Sequence, residues 1–515
     1  MLLRCLRSRF LLILICIVLL VCAAAGQVVN PKDTHSVFTA DRTVIDLAGL
    51  VWDSVHPSAT MCPWVVLFYN DGCGHCRSTA RKYSSFAAGI EDCHEEDPLR
   101  MATIAAINCA VEISICRDNR ILTVPKLVLF VPSNCSNKTN EVCVADMMQF
   151  IPLDSSSDGI TRLRQETRRL IKQSMHFDDA SIERCVQMRH ALYDAKGDWI
   201  KHGSLSSPQF VETTMLYPTD IAGAFFSTLL HEVPLVGLSP PERLYALEDF
   251  LLLVEHALPG LGAGALLESL RGFERNEEFS VTRWQNAVIA AHIPFEGKPR
   301  AVQWRTCSGS SSEYRGFPCG MWLLYHSLTA NADKEANTLQ TIQNYVRYFF
   351  SCEHCRQHFL QFDFKPGEDP LLQLWRAHNN VNARLAVENT SNDPLVPKRQ
   401  FPTRAICPEC YNLAGNFDEQ AVLKFLQRRY EWDPDAVSWK IGAGAGEPPN
   451  LISTTTVAPK TDVLQKNEET VRRDPIPTHV FLTGFVIVTA VSAGILRIRG
   501  KYISSHTNHR HRMRV

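Results

Sequence analysis

The chain has 515 residues, 45% of them hydrophobic, with 53 Lys and Arg against 54 Asp and Glu, a net charge of −1. That balance argues against nucleic acid as a partner, which demands a basic face, and the apolar share is that of a globular chain. Without its terminal segments the chain keeps roughly 420 residues for folding, enough for two or three domains.

Residues 1–26 read as a secretory signal peptide: Arg4, Arg7 and Arg9, the apolar run Phe10 to Val21, then Ala23-Ala24-Ala25-Gly26. A retained membrane anchor is the alternative. Of the 18 cysteines, Cys5, Cys16 and Cys22 lie in this leader, and an oxidising compartment makes disulfides the default for the rest. The sequons at Asn134, Asn137 and Asn389 predict glycosylation in the same compartment.

Trp64 to Tyr69 is a buried-strand run, and the turn Asn70-Asp71-Gly72 leads into Cys73-Gly-His-Cys76. Arg77 to Gly89 suits a helix, and Met101 to Ile107 and Lys126 to Val131 suit further strands, with Val124-Pro125 before the last. A Cys-x-x-Cys between strand and helix sets the first thiol at a helix N-terminus, where the dipole favours negative charge, and the second one turn on, where it resolves a mixed disulfide. Over residues 35–175 this resembles the thioredoxin fold of protein disulfide isomerases, whose Cys-Gly-His-Cys and cis-proline match Cys73–Cys76 and Pro125. Two positions depart from that pattern: Gly72 replaces the Trp before the first Cys, and Leu67 replaces a buried acid. Cys109 and Cys116, seven positions apart, are expected to form a structural bridge. The pairing of Cys62, Cys93, Cys135 and Cys143 stays open.

Residues 176–215 show little periodicity and read as a linker. From Pro218 to residue 292 the pattern is helical: Ile221, Phe225, Leu229 and Leu230 share a face, as do Leu244, Leu247, Phe250, Leu251 and Val254. Thr219 or Asp220 is the expected cap of the first helix and Pro241 the expected start of the second. This region, 216–292, reads as a scaffold without catalytic residues.

Residues 293–432 concentrate aromatic, histidine and cysteine positions. Arg315-Gly-Phe-Pro-Cys319 precedes Trp322 and His326, which share a helix face. An apolar stripe leads into Cys352-Glu-His354-Cys355-Arg-Gln-His358. In the run Trp375, Arg376, Ala377, His378, Asn379, Asn380, Val381, Asn382, the residues Trp375, His378, Asn379 and Asn382 form one stripe of rings and amides suited to a planar heteroaromatic ligand. Together with Gln303-Trp-Arg-Thr-Cys307, this set resembles the Erv/ALR-type sulfhydryl oxidase domain. With a thioredoxin module ahead of it, the chain resembles the quiescin sulfhydryl oxidases.

The resemblance implies a multidomain chain: an α/β thioredoxin fold, an all-α helical region, and an all-α FAD-binding helical bundle. It implies FAD held by Arg315, Trp322, His326, His354, His358, Trp375 through Asn382, and Lys398, with Phe401 where relatives often place a Trp. It implies a structural Cys307–Cys319 bridge and a distal Cys407–Cys410 disulfide. Relatives in animals carry a second thioredoxin domain for which this chain has no room, an account in which Cys185 has lost its partner. The implied activity is oxidation of protein dithiols with reduction of O2 to H2O2. Electrons would pass from Cys73/Cys76 to Cys352/Cys355 to FAD, with 176–215 as the hinge of a domain reorientation. A flavin-free disulfide isomerase and a zinc-stabilised membrane-tethered adaptor are the alternatives.

Residues 447–477 read as a flexible stalk, and Val480 to Leu496 as a short transmembrane helix. The basic tail 497–515 is then cytosolic. The expected location is the secretory pathway, as a single-pass type I protein of Golgi or cell surface, with shedding at the stalk left open.

Overall fold

In the computed structural model the described residues are 36–47 (without 39–40), 62–131, 148–153 (without 152), 158–200, 215–271, 279–311 (without 300), 314–333, 336–388 and 393–434. The leader, stalk, apolar segment 480–496, basic tail and the three sequon asparagines lie outside them, as do Cys135 and Cys143. Among the described residues no helix is long and apolar enough to cross a membrane.

Five strands form one sheet in the order β1 (Ile45–Asp46), β3 (Thr103–Asn108), β2 (Trp64–Tyr69), β4 (Lys126–Phe130), β5 (Met148–Ile151). β2 runs parallel to β3 and antiparallel to β4, with Val66 opposite Ala105 on one side and Val128 on the other. All six β2 residues are buried, as the unbroken apolar run requires of a central strand covered on both faces. Helix α1 (Gly74–Ala88) follows β2, and its N-cap is Cys73, whose Sγ accepts from Cys76 N at 3.2 Å. The expected strand at 101–107 starts two residues later, because Pro98–Met101 forms a 3₁₀ turn. The Val124–Pro125 peptide is cis, as the resemblance implied. Helix α2 (Ile113–Asp118) carries Cys116, bonded to Cys109.

The predicted linker is corrected. After α3 (Gly159–Ser174), residues Asp179–Ile200 form a 22-residue helix, α4. Its Ile182, Cys185, Val186 and Arg189 are buried, spaced i, i+3, i+4, i+7 on one face. Cys185 is not an orphan either: it bonds Cys62, 123 positions away. The fully buried Arg189 donates to the carbonyls of Arg100 and Ala102 and to Glu91. Most of 176–215 therefore belongs to the thioredoxin module, and the connector narrows to 201–214, outside the described residues.

The helical half comprises α5 (Pro218–Ser227), a π turn (Thr228–Glu232), α6 (Val233–Val236), α7 (Pro241–Ala257), α8 (Ala263–Arg271) and α9 (Val281–Ala290). A small hairpin, β6 (Gly297–Lys298) and β7 (Ala301–Val302), follows. Then come α10 (Gly316–Asn331), α11 (Thr338–Phe349), α12 (Glu353–Leu360), α13 (Pro370–Glu388) and α14 (Glu419–Arg429). One hydrophobic core runs from Ile221 to Tyr430, so the 216–292 scaffold and the 293–432 bundle share an interior. Trp304 explains part of that fusion. A Cβ on Gly320 would lie 2.6 Å from its ring and 2.9 Å from Ala224, so only glycine lets α5 and α10 close around the indole. Neither Thr219 nor Asp220 caps α5. Asp220 is buried and accepts from the amides of Arg305 (2.9 Å) and Cys307 (2.7 Å), tying α5 to the Cys307–Cys319 bridge. Pro241 does open α7.

Replacing Cys62 and Cys185 together by Ser should cost about 2–4 kcal/mol by releasing a long loop in the unfolded chain. Denaturant unfolding of the full chain would read this as a lowered midpoint for the thioredoxin-module transition.

Candidate functional site

The turn that presents Cys73 is closed by Asn70, whose Oδ1 accepts from Gly72 N (2.8 Å) and whose carbonyl accepts from Cys73 N (3.0 Å). Cys73 and Cys76 are free thiols. Burial pushes the Cys76 thiol well above its usual range, and the adjoining Cys73 adds to that, so Cys76 stays protonated and Cys73 is left to attack.

The second pair is built alike. Cys352 is the N-cap of α12, its Sγ accepts from Cys355 N, and the two form a disulfide. The sulfurs of Cys73, Cys352 and Cys355 all lie within 4.8 Å of one another. Three sulfurs at that range would suit a metal only as thiolates. With Cys352 bonded to Cys355, the cluster is instead a thiol facing a disulfide, and the zinc-adaptor donor set is not there.

Several contacts hold this alignment. Val124, just before the cis-proline, pairs with Cys352 as a parallel bridge: Val124 N donates to Ser351 O (2.9 Å) and Glu353 N to Val124 O (3.1 Å). Lys126 pairs with Glu353 at 2.6 Å and Thr123 Oγ1 donates to the same carboxylate. The rings of His75 and His354 stack with centroids 4.5 Å apart. Arg117 donates to the carbonyl of Pro234 (3.0 Å), docking α2 on α6. Buried Glu232 accepts from both Asn70 and Ser351.

Gly72 acquires a reason here. A Cβ at that position would sit 3.0 Å from Phe317 Cδ1 and 3.1 Å from Asn70 Oδ1. The Trp expected from the isomerase pattern would drive a large ring into Phe317, so glycine lets the Cys73 turn lie against the helical half.

The predicted ligand-lining residues divide into groups. Trp322, His326 and His378 come together. Trp322 stacks on His378 (4.0 Å, 5°), and His326 Nε2 and His378 Nδ1 are hydrogen-bonded at 3.1 Å. Burial holds His326 down to about 3 and His378 well below its usual range, so both rings are neutral. His326 Nδ1 is buried without a hydrogen-bond partner among the described residues. Trp375 Nε1 and Asn379 Nδ2 both donate to the Phe401 carbonyl, so these two pin the 401 loop. Ala377 and Asn382 are buried, and Val381 is half-buried. Arg376 and Asn380 lie on the other side of α13: Arg376 pairs with Glu368 and Glu419, and Asn380 is exposed. Lys398 is half-buried and drops to about 8, first through burial and then through Arg315 and Arg77. His354, within the Cys352–Cys355 turn, stacks on His75, and its ring centroid lies 4.2 Å from that of His358. Cys407 and Cys410 form a fully buried disulfide. Sequence reasoning missed Asn70, Lys126, Glu232, Phe317 and Ser351. Of these only Glu232 carried a signal, as one of two acids in the apolar run 218–236.

Gly72→Trp should slow reaction of Cys73 with Cys352 on the order of a hundredfold, the effect of a 1 Å misplacement, while reaction of Cys73 with a small disulfide persists. Single-turnover trapping of the Cys73–Cys352 disulfide in a Cys76→Ser background measures it. Docking should also weaken in acid. His354 is held at about 4, by burial first and then by His75 and His358, against an ordinary 6.5. Separation relieves part of that depression, so the open form takes up a proton that the docked form refuses. The trapped yield should fall as pH drops from about 6.5 towards 4, and less steeply in His75→Gln/His354→Gln.

Comparison with known proteins agrees with this arrangement. The thioredoxin family matches residues 55–151, the quiescin sulphydryl oxidase pseudo-Erv domain residues 217–305, and the Erv1/Alr family residues 319–402. The protein named Sulfhydryl oxidase 2 of Homo sapiens is 38% identical over 490 residues, covering 72% of this chain and 69% of its own. Sulfhydryl oxidase 1 of Gallus gallus is 26% identical, covering 79% and 68%. That of Cavia porcellus is 33% identical, but the match covers 43% of this chain and only 40% of the relative. The pseudo-Erv match gives the 216–292 scaffold an identity that periodicity alone did not. The chain belongs to the quiescin sulfhydryl oxidase family.

Proposed function

We propose that the chain is a thiol oxidase that introduces disulfides into protein dithiols through a two-step relay. The observation that carries this is the single cluster of Cys73, Cys352 and Cys355 sulfurs across the two modules. A substrate thiolate attacks Cys73 of the oxidised Cys73–Cys76 pair, and the second substrate thiol displaces it. The substrate leaves as a disulfide and Cys73 and Cys76 are reduced. Cys73 thiolate then attacks Cys352 Sγ, the Cys352–Cys355 bond breaks, and Cys355 leaves as thiolate. Cys76 loses its proton and attacks Cys73 Sγ, releasing Cys352 and restoring the first disulfide.

The reduced Cys352/Cys355 pair needs an acceptor, and FAD fits the residues present. Trp322 and His378 offer a flat ring stack, the unpartnered His326 Nδ1 a buried polar contact, and Lys398 with Arg315 a cationic pair suited to a diphosphate. Bound FAD would supply the two-electron acceptor that hands its pair to O2, giving H2O2. The chain's own residues keep the rings neutral, orient the disulfide at the head of α12, and bury Cys352 to 4% exposure away from competing thiols.

We place the protein in the secretory pathway, anchored by 480–496 with its basic tail cytosolic. The leader-like 1–26, the sequons and the many disulfides support that location.

Cys73→Ser should abolish oxidation of a reduced protein substrate but spare slow turnover of dithiothreitol at Cys352–Cys355, whereas Cys355→Ala should abolish both, with peroxide release as the assay. Loss of dithiothreitol turnover in Cys73→Ser would reverse the relay order. A colourless purified protein, lacking flavin absorbance, would sink the oxidase reading and favour an isomerase.

A further inference from the structure

Glu232 ends the π turn after α5 and is 3% exposed. Its carboxylate takes three donors. Oε1 accepts from Asn70 Nδ2 (2.9 Å) and Ser351 Oγ (3.1 Å), and Oε2 accepts from Ser351 N (2.6 Å). Asn70 is the residue that closes the Cys73 turn. Ser351 immediately precedes Cys352, and its carbonyl accepts from Val124 N. The carboxylate thus bonds to both sulfur-bearing turns, yet it comes from the pseudo-Erv region, which contributes no redox pair.

We propose that Glu232 is a positioning residue for the relay, setting the Cys73 and Cys352 turns in the register that exchange requires. This rests on the relay reading above. It assigns the pseudo-Erv region a part in turnover. A buried carboxylate accepting three hydrogen bonds is rigidly placed, and removing it strands an amide, a hydroxyl and a backbone N–H at the docking surface. Thiol–disulfide exchange needs the attacking and leaving sulfurs in line, so a small loss of register is expensive in rate.

The charge state of Glu232 gives the proposal a signature. Burial pushes its carboxyl up to about 7, against the pull of Ser351 and Asn70, and Asp71 adds to the rise. The other titratable groups facing it are Tyr325 and Tyr345, both raised far above neutral pH by burial, and His231 adjoins it in the chain. Separation uncovers Glu232 and lets it fall towards its ordinary 4.5. The docked form therefore holds the proton more tightly, so docking loses stability as pH rises from about 4.5 to about 7 and levels off above that. That is the opposite sense to the His75–His354 stack.

The test uses the full chain with Cys76→Ser, in which Cys73 attacks the existing Cys352–Cys355 disulfide and the Cys73–Cys352 bond is trapped by acid quench and thiol alkylation. Glu232→Ala and Glu232→Gln should each slow bond formation about tenfold or more. Reaction of Cys73 with a small disulfide reagent should hold, and the slowing should persist at temperatures well below the melting of the helical half. Asn70→Ala, on the thioredoxin side and outside the helical core, should reproduce the slowing. Normalised to the small-reagent rate and measured in the His75→Gln/His354→Gln background, bond formation should decline from about pH 4.5 to about pH 7 when Glu232 is present and stay flat in Glu232→Gln. Unchanged rates in all three variants would overturn the proposal, as would a loss that merely tracks a lowered melting temperature. If the parent itself forms no Cys73–Cys352 bond, the relay reading fails instead.

Discussion

Two backbone hydrogen bonds across Val124 hold the arrangement on which the site depends. They join the residue before the cis-proline to the carbonyl before Cys352 and the amide after it. Both are uncharged, directional and close to the reacting sulfurs, so they fix the approach of Cys352 without specifying side chains. The thioredoxin surface thereby treats the helical half as an extended peptide laid beside it. In the proposed relay, the same main-chain groups would suit a thiol-bearing peptide, so that one surface would serve client and internal partner in turn.

Around that bridge the side chains add small polar contacts. Lys126–Glu353 is a half-exposed pair, of a kind worth about 0–1 kcal/mol. The stacked histidines are neutral and small. At the sulfurs, Leu235 and Cys352 are buried in the same apolar cluster as Cys73 and Cys76, with Phe350 packed against it. The second, larger core fuses the pseudo-Erv and Erv helices.

Much of this was legible beforehand. Cys73–Cys76 and Cys352–Cys355 sit at helix N-termini because their spacing and flanking patterns demand it. Trp322, His326 and His378 converge because their faces were readable at helical period. Within the run 375–382 the helix turns Arg376, paired with Glu368 and Glu419, and the exposed Asn380 away from Trp375. Helix α4 was missed because Arg189, normally a surface residue, occupies a core position by donating to carbonyls distant in sequence. The i, i+3, i+4, i+7 spacing of Ile182, Cys185, Val186 and Arg189 is visible only once Arg189 counts as a core position. Glu232 shows a harder limit: what makes an acid tolerable in an apolar helix is the donors, and these arrive from Asn70 and Ser351, far away along the chain.

In the proposed relay, the thiol and the disulfide that must meet stay on one chain, and a linked pair of that kind meets at an effective concentration on the order of millimolar. Local concentration then does what contact area would otherwise have to do. A relay of this kind can then open in every cycle, because covalent linkage, rather than contact area, sets how often the sulfurs meet.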